Sequence, residues 1–236
     1  YETIVDSLNI ARQNRDFNSL AKSYYQLGLF EERSRRNFER SFDYLSRALE
    51  YYKLVKDSTG IQNTRFHMAR HLMENAMYDD ALDEFQDLKK YYNRNVNSRK
   101  AAQIELQLFK IYFNELDIKS AEKALKNAGR FFENSENSTL QLQLLGEQIQ
   151  YYDFVQELDT AMILAKLCIN KSIAANESFY EAQCLASRGN VLIKMSDYDQ
   201  AIMDYKKSLT VLNNIPYSKD RLEVYKNISA CYDSLD

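Results

Sequence analysis

Five stretches decide the fold: FERSFDYLSRAL (38–49), YDDALDEFQDL (78–88), IKSAEKALKNA (118–128), LDTAMILAKLC (158–168) and YDQAIMDYKKSL (198–209). Aligned on a small residue, they set Ser41, Ala81, Ala121, Ala161 and Ala201 at a constant step of 40 residues. Phe38, Tyr78, Ile118, Leu158 and Tyr198 stand three before that marker, and Leu45, Phe85, Leu125, Ala165 and Tyr205 four after it. Tyr51–Tyr52, Tyr91–Tyr92 and Phe131–Phe132 keep the same step, placed to cover the end of a core between helices. A phase held through five periods identifies a repeat architecture, in which each period is one supersecondary unit.

Inside a period the apolar residues recur at three and four, the spacing of an amphipathic helix, and breaks divide each period into two such helices. Phe38–Leu54 and Tyr78–Tyr92 read as second helices, 60–75 and 98–115 as first helices. Asp57, Ser58, Asn97, Ser98, Asn137 and Ser138 are capping-type residues where helices should begin. The small marker has a mechanical reason. Where two helices cross closely a large side chain would force them apart, so Ala or Ser sits at the crossing and Tyr, Phe and Leu fill its flanks. The expected organisation of 1–236 is one array: residues 1–14 as the second helix of a truncated repeat, repeats at about 17–56, 57–96, 97–136, 137–176 and 177–216, and 217–236 as the first helix of a further one.

Composition agrees and excludes several partner classes. A hydrophobic content of 45% takes the chain out of the disordered class, and five Gly with one Pro supply little turn material for an all-β fold. A net charge of −3 with interleaved signs provides no basic face for nucleic acid or anionic lipid. The longest apolar run, Ala161 to Ala165, falls far short of the roughly 20 residues of a membrane-spanning helix. Cys168, Cys184 and Cys231, an odd number without metal-type spacing, read as buried packing thiols. The chain opens on Tyr1 with no signal-type segment, which gives the expectation of a piece of a longer protein.

These residues resemble the tetratricopeptide repeat family, most fully over 182–215, where Gly189, Leu192, Tyr198, Ala201, Tyr205 and Ser208 match the family's packing positions and Pro216 follows as a stop. Leu27 and Gly28 supply its Leu-Gly pair in the first repeat, with one residue inserted before Ser41. Arg65 and Glu105 depart from the pattern, standing in slots that are usually large and apolar. The period exceeds the family's usual length of about 34. Long-period arrays of this kind occur in the sensory parts of bacterial histidine kinases and peptide-responsive regulators, and LVKDSTGIQNT (54–64) is similar to their inter-repeat connection. The resemblance implies an all-α, right-handed superhelical α-solenoid of antiparallel helix pairs, with about 12 helices. It leaves the compartment open between the cytoplasm and, for the sensor of a membrane kinase, the periplasm.

In that family the first helices line the concave surface. Carried over, the ligand-facing positions are Tyr25, Phe66, His67, Arg70, Gln103, Gln107, Lys110, Gln143, Glu147, Gln150, Gln183 and Asn190, with Lys22 and Lys194 beside them. The amides suit the backbone of an extended peptide, Tyr25 and Phe66 an apolar anchor, Arg70 and Lys110 an anionic contact. Tyr25, Phe66 and Leu106 occupy the leading position of the clamp with which chaperone-binding members hold a terminal carboxylate, so that specificity is not expected. The expected role is a non-catalytic protein- or peptide-binding module of a signalling protein, with no cofactor. A self-associating element that forms a homodimer through its unfinished ends or aromatic edges is the alternative.

Enzyme chemistry finds little support. His67 and His71 are i and i+4 on one helix, but Met68 and Ala69 break any HExxH and spacing suggests no third ligand. They read as solvated or packing side chains. No Gly-rich phosphate loop, nucleophile elbow or Cys-His arrangement is present.

Overall fold

The structure is a computed structural model and describes residues 1–32, 37–94, 98–132, 138–213 and 220–234. Among these residues every regular element is a helix, twelve in all. Two compact units divide them, Tyr1–Leu116 and Asp117–Asp236. The first holds α1 (Glu2–Gln13), α2 (Phe17–Phe30), α3 (Phe38–Leu54), α4 (Ser58–Glu74), α5 (Tyr78–Arg94) and α6 (Ser98–Asn114). The second holds α7 (Ile118–Phe132), α8 (Ser138–Phe154), α9 (Leu158–Ala174), α10 (Ser178–Lys194), α11 (Tyr198–Leu212) and α12 (Asp220–Asp233). Within each unit, consecutive helices pack side by side.

The helices fall where the periodicity puts them, and they explain the length of the repeat. From α4 through α5, and again from α9 through α10, each helix has 17 residues and three residues lead into the next. Two such modules fill one 40-residue period, so the extra length over the common repeat lies in longer helices.

The turns are made without glycine. Arg15, Lys56, Ala76, Leu116, Gln156, Asn176 and Ser196 hold φ between 52° and 62°, the left-handed region. At Ala76 its N–H bonds the carbonyl of Met73 and the N–H of Met77 that of Leu72, the paired bonds that close a helix C-terminus. The same pair recurs at Lys56, Gln156, Asn176 and Ser196. The residue that ends several of these turns also begins the next helix: Asp57 accepts from the N–H of Gly60 at 2.9 Å, Asp16 from that of Ser19 at 3.1 Å and Asp197 from that of Gln200 at 3.3 Å. Of the other expected caps, Asn97, Asn137 and the stop Pro216 lie outside the described residues.

All five marker residues, Ser41, Ala81, Ala121, Ala161 and Ala201, have no exposed surface. Of the aromatic pairs, Tyr52, Tyr92 and Phe132 are buried, while their predecessors are half-buried. A methyl group on Gly189 would stand 2.7 Å from the ring of Tyr205, and one on Gly28 2.8 Å from Leu45, so both glycines permit a close helix approach.

Polar residues that break the apolar pattern are paired with the neighbouring helix. Arg65 of α4 meets Glu84 of α5 at 2.7 Å, and Glu105 of α6, 2% exposed, takes Lys89 of α5 at 2.7 Å. In the second unit Arg188 of α10 donates to both oxygens of the fully buried Asp204 of α11 at 2.6 and 2.7 Å. The expectation of three separate thiols is corrected: Cys168 of α9 and Cys184 of α10 form a disulfide with Cα atoms 5.8 Å apart, and only Cys231 is a free, buried cysteine. The 40-residue step hid this pairing, because 16 residues separate the two.

Candidate functional site

In the first unit, α2, α4 and α6 are the first helices of their repeats, and the predicted ligand-facing residues of the unit all lie on them. The end of α2 meets α4 at a carboxylate that the repeat pattern does not include. Past Phe30, α2 widens into a π-type turn at Glu31–Glu32, in the region of the inserted residue, and this turns Glu32 inward. Glu32, 8% exposed, takes the Nδ1–H of His67 at 3.0 Å and a guanidinium N–H of Arg70 at 2.7 Å.

Burial pushes the Glu32 carboxyl up, but the His67 hydrogen bond and the Arg70 charge outweigh it and hold the group below the usual range. Burial pulls His67 the other way, below an ordinary histidine, despite the attraction of Glu32. The two directions describe one state: an ionised Glu32, a neutral His67 that donates, and a charged Arg70. The Arg70 side chain keeps 35% of its surface exposed, so a buried carboxylate holds the guanidinium of a partly exposed side chain.

His71, one helical turn further on, is also buried. Ser41 donates its hydroxyl to the Gly28 carbonyl at 2.8 Å, so the 2.9 Å contact to His71 Nε2 makes that nitrogen the donor. His71 Nδ1 then carries the lone pair, with no hydrogen-bond partner among the described residues. The rings of Phe38 and Phe42 stand edge-on to the imidazole at 5.4 and 6.4 Å, and burial lowers its pKa. Both histidines are therefore packing residues and neither is solvated. Among the described residues no group of three or more His, Cys, Asp or Glu could hold a metal ion.

The remaining predicted residues of this unit divide by depth. Tyr25 is half-buried with its ring 5.8 Å from His67, and Gln103 and Lys110 are half-buried on α6. Phe66 and Gln107 lie beneath the face, each 6% exposed. Phe66 packs edge-on against Phe85 of α5 at 5.8 Å, with the Lys100 ammonium 4.9 Å from its ring centroid, which makes it part of the core between α4 and α5. Glu32 and Lys100 are the members that sequence reasoning missed. Glu32 belongs to none of the recurring columns, and Lys100 stands in a column that holds Gly60, Leu140 and Tyr180 elsewhere, where no charge recurs.

In the second unit Gln150 and Gln183 are exposed, and Gln143, Glu147 and Asn190 half-buried. Asn190 is fixed by two donors to its Oδ1, Tyr205 Oη at 2.6 Å and Asn227 Nδ2 at 3.1 Å, which reserves its own N–H donors for other partners. Lys194 is engaged by Asp153 of α8 at 2.9 Å.

No family model matches the sequence, and no curated protein matches it. Solved structures do. A STAND signal-transduction ATPase with a tetratricopeptide repeat sensor from Pyrococcus horikoshii is similar over 99% of this chain, with a TM-score of 0.71 and 13% identity. The chain spans 37% of the length of that protein. A thermophilic tetratricopeptide repeat protein of Thermus thermophilus matches over 90% of this chain and 98% of its own, with a TM-score of 0.61 and 16% identity. A Rap protein complexed with Competence and Sporulation Factor matches over 93% of this chain and 63% of its own, with a TM-score of 0.60 and 14% identity. Helix pairs in 40-residue register, small residues at their crossings and this likeness agree: the chain has the tetratricopeptide repeat fold.

Proposed function

We propose that the chain is a non-catalytic module that binds an extended peptide or protein segment on the first-helix face, as the sensory or scaffolding part of a larger signalling protein. The observation that carries this reading is the Glu32–His67–Arg70 junction. A guanidinium pinned from below by a buried carboxylate loses little freedom when an acceptor binds it, which is the preorganisation a recognition site needs. Tyr25, its ring 5.8 Å from His67, supplies an aromatic neighbour, and the half-buried Gln103 and Lys110 offer an amide and a cation on α6, the next first helix. The crystallised complex of a Rap protein with Competence and Sporulation Factor supports a peptide ligand by analogy, and the sensor of the STAND protein supports a regulatory setting. The repeat phase crosses Leu116 without a change of step, which supports reading 1–236 as one array.

The test is binding to a peptide array, followed by fluorescence anisotropy with the best peptides. Arg70→Ala is expected to weaken binding by about 10- to 100-fold, the loss of one charge-assisted contact. Gln103→Ala and Lys110→Ala should each weaken it less. Binding that survives all three substitutions together refutes this face as the site.

A further inference from the structure

The internal repeats provide a control for what each outward position of a second helix needs. The column of residues 43, 83 and 123 carries Asp43, Asp83 and Lys123, and the column four residues on carries Arg47, Asp87 and Asn127. The fold asks only for polar groups there. In α9 the same two columns hold Ile163 and Leu167, which are 67% and 42% exposed. The next outward column, Glu50, Lys90 and Arg130 elsewhere, is Asn170 in α9. On the neighbouring α11, Met203 continues the first column and is 51% exposed. Exposed apolar side chains at positions that carry charged or polar groups in the other repeats mark a face that meets a partner. The inner side of α9 is already satisfied by the buried Ala161, Ala165 and Cys168, the last bonded to α10.

Ile163, Leu167, Asn170 and Ala174 follow each other at four, three and four residues, the spacing of a seam that meets another helix, and all four are exposed. The charges beside the seam are ordered along the helix. Glu157 and Asp159 stand at its start, Lys166 at its middle and Lys171 in its last turn, all exposed. A parallel copy would lay Asp159 beside Asp159 and Lys166 beside Lys166, whereas an antiparallel copy centred near Ile163 sets Ile163 beside Ile163 and brings Asp159 near Lys166 and Glu157 near Lys171 of the other copy. The face is thus complementary to itself. We infer that the outward face of α9 is a self-association surface, and that two copies of this chain pair there through antiparallel α9 helices. The surface is separate from the first-helix face and does not depend on the peptide-binding reading.

Sedimentation of the whole 236-residue chain over a concentration series tests it. A reversible dimer is expected, weakened by about 100-fold or more in Ile163→Asp and in Leu167→Glu, because each removes apolar contact twice across the two-fold axis. Both positions are exposed, so unchanged melting temperatures will show that the fold is intact. Asp159→Lys and Lys166→Glu should each weaken the dimer, and the two together should restore it. A parent chain that stays monomeric at millimolar concentration overturns the inference, and so does a dimer that tolerates Ile163→Asp and Leu167→Glu.

Discussion

The two units share one repeat phase but fill it with different chemistry. The first holds both histidines of the chain and buries Glu32, His67, His71 and Glu105 in polar contacts between helices. The second has no histidine, packs α8 to α10 around alanines, leucines and a disulfide, and buries one bidentate pair, Arg188–Asp204. Backbone geometry depends on the few columns that recur, namely the small residue at the crossing and the left-handed residue in the turn. The other columns are free to differ, so mild acid is expected to act on the histidines of the first unit and reductants on the disulfide of the second.

The largest expected effect belongs to the second unit. Arg188→Leu leaves the Asp204 carboxylate buried without a partner and should cost about 3–5 kcal/mol. Asp204→Leu should cost less, because the Arg188 side chain, 19% exposed, can lean toward water. The double substitution should recover most of the loss, and chemical denaturation of the three variants checks the order. Reduction of Cys168–Cys184 should destabilise the same unit by about 3 kcal/mol, the chain-entropy value for a closed loop of roughly 15 residues. Hydrogen exchange is expected to rise in α9 and α10 and not in α3 and α4, and denatured protein should titrate one thiol before reduction and three after.

In the first unit, Ala81→Leu overpacks a fully buried crossing and should cost about 1–3 kcal/mol. Acid should act there too. His67 and His71 are held below the ordinary value of 6.5 by burial, so the unfolded chain binds protons first as pH falls through that value. Stability is full above it and declines toward the folded values, with Glu32 adding its own loss only further into acid. Melting curves at successive pH values should show the decline, and His67→Gln with His71→Gln should remove it while the second unit is unchanged. The smallest effect should be common to both units. Ala76→Gly and Ser196→Gly each relieve a left-handed residue but add freedom to the unfolded chain, for a net gain of about 0.5 kcal/mol. A gain at one site and a loss at the other would show that the two turns are not equivalent.

The periodicity made the helices legible to within a few residues, because every hairpin repeats the same packing at a step of 40. Contacts that do not repeat were not legible. Arg65 and Glu105 stood out as misfits, but each is satisfied by a residue of an adjacent helix that no spacing predicts. Phe66 sits in a family position that faces ligands, yet Phe85 and Lys100 enclose it. Leu116 and Ala76 gave no sign of left-handed turns, since glycine, the usual sign, is missing. Cys168–Cys184 crosses between helices at a separation unrelated to the period.

The modules of 17 helical and three connecting residues join through one kind of joint, in which a left-handed residue closes one helix and an aspartate can open the next. A gene segment that encodes 40 residues can therefore be copied or lost whole, and the new neighbours meet through a joint the chain already uses. Reach can change by whole hairpins while each existing face keeps its chemistry.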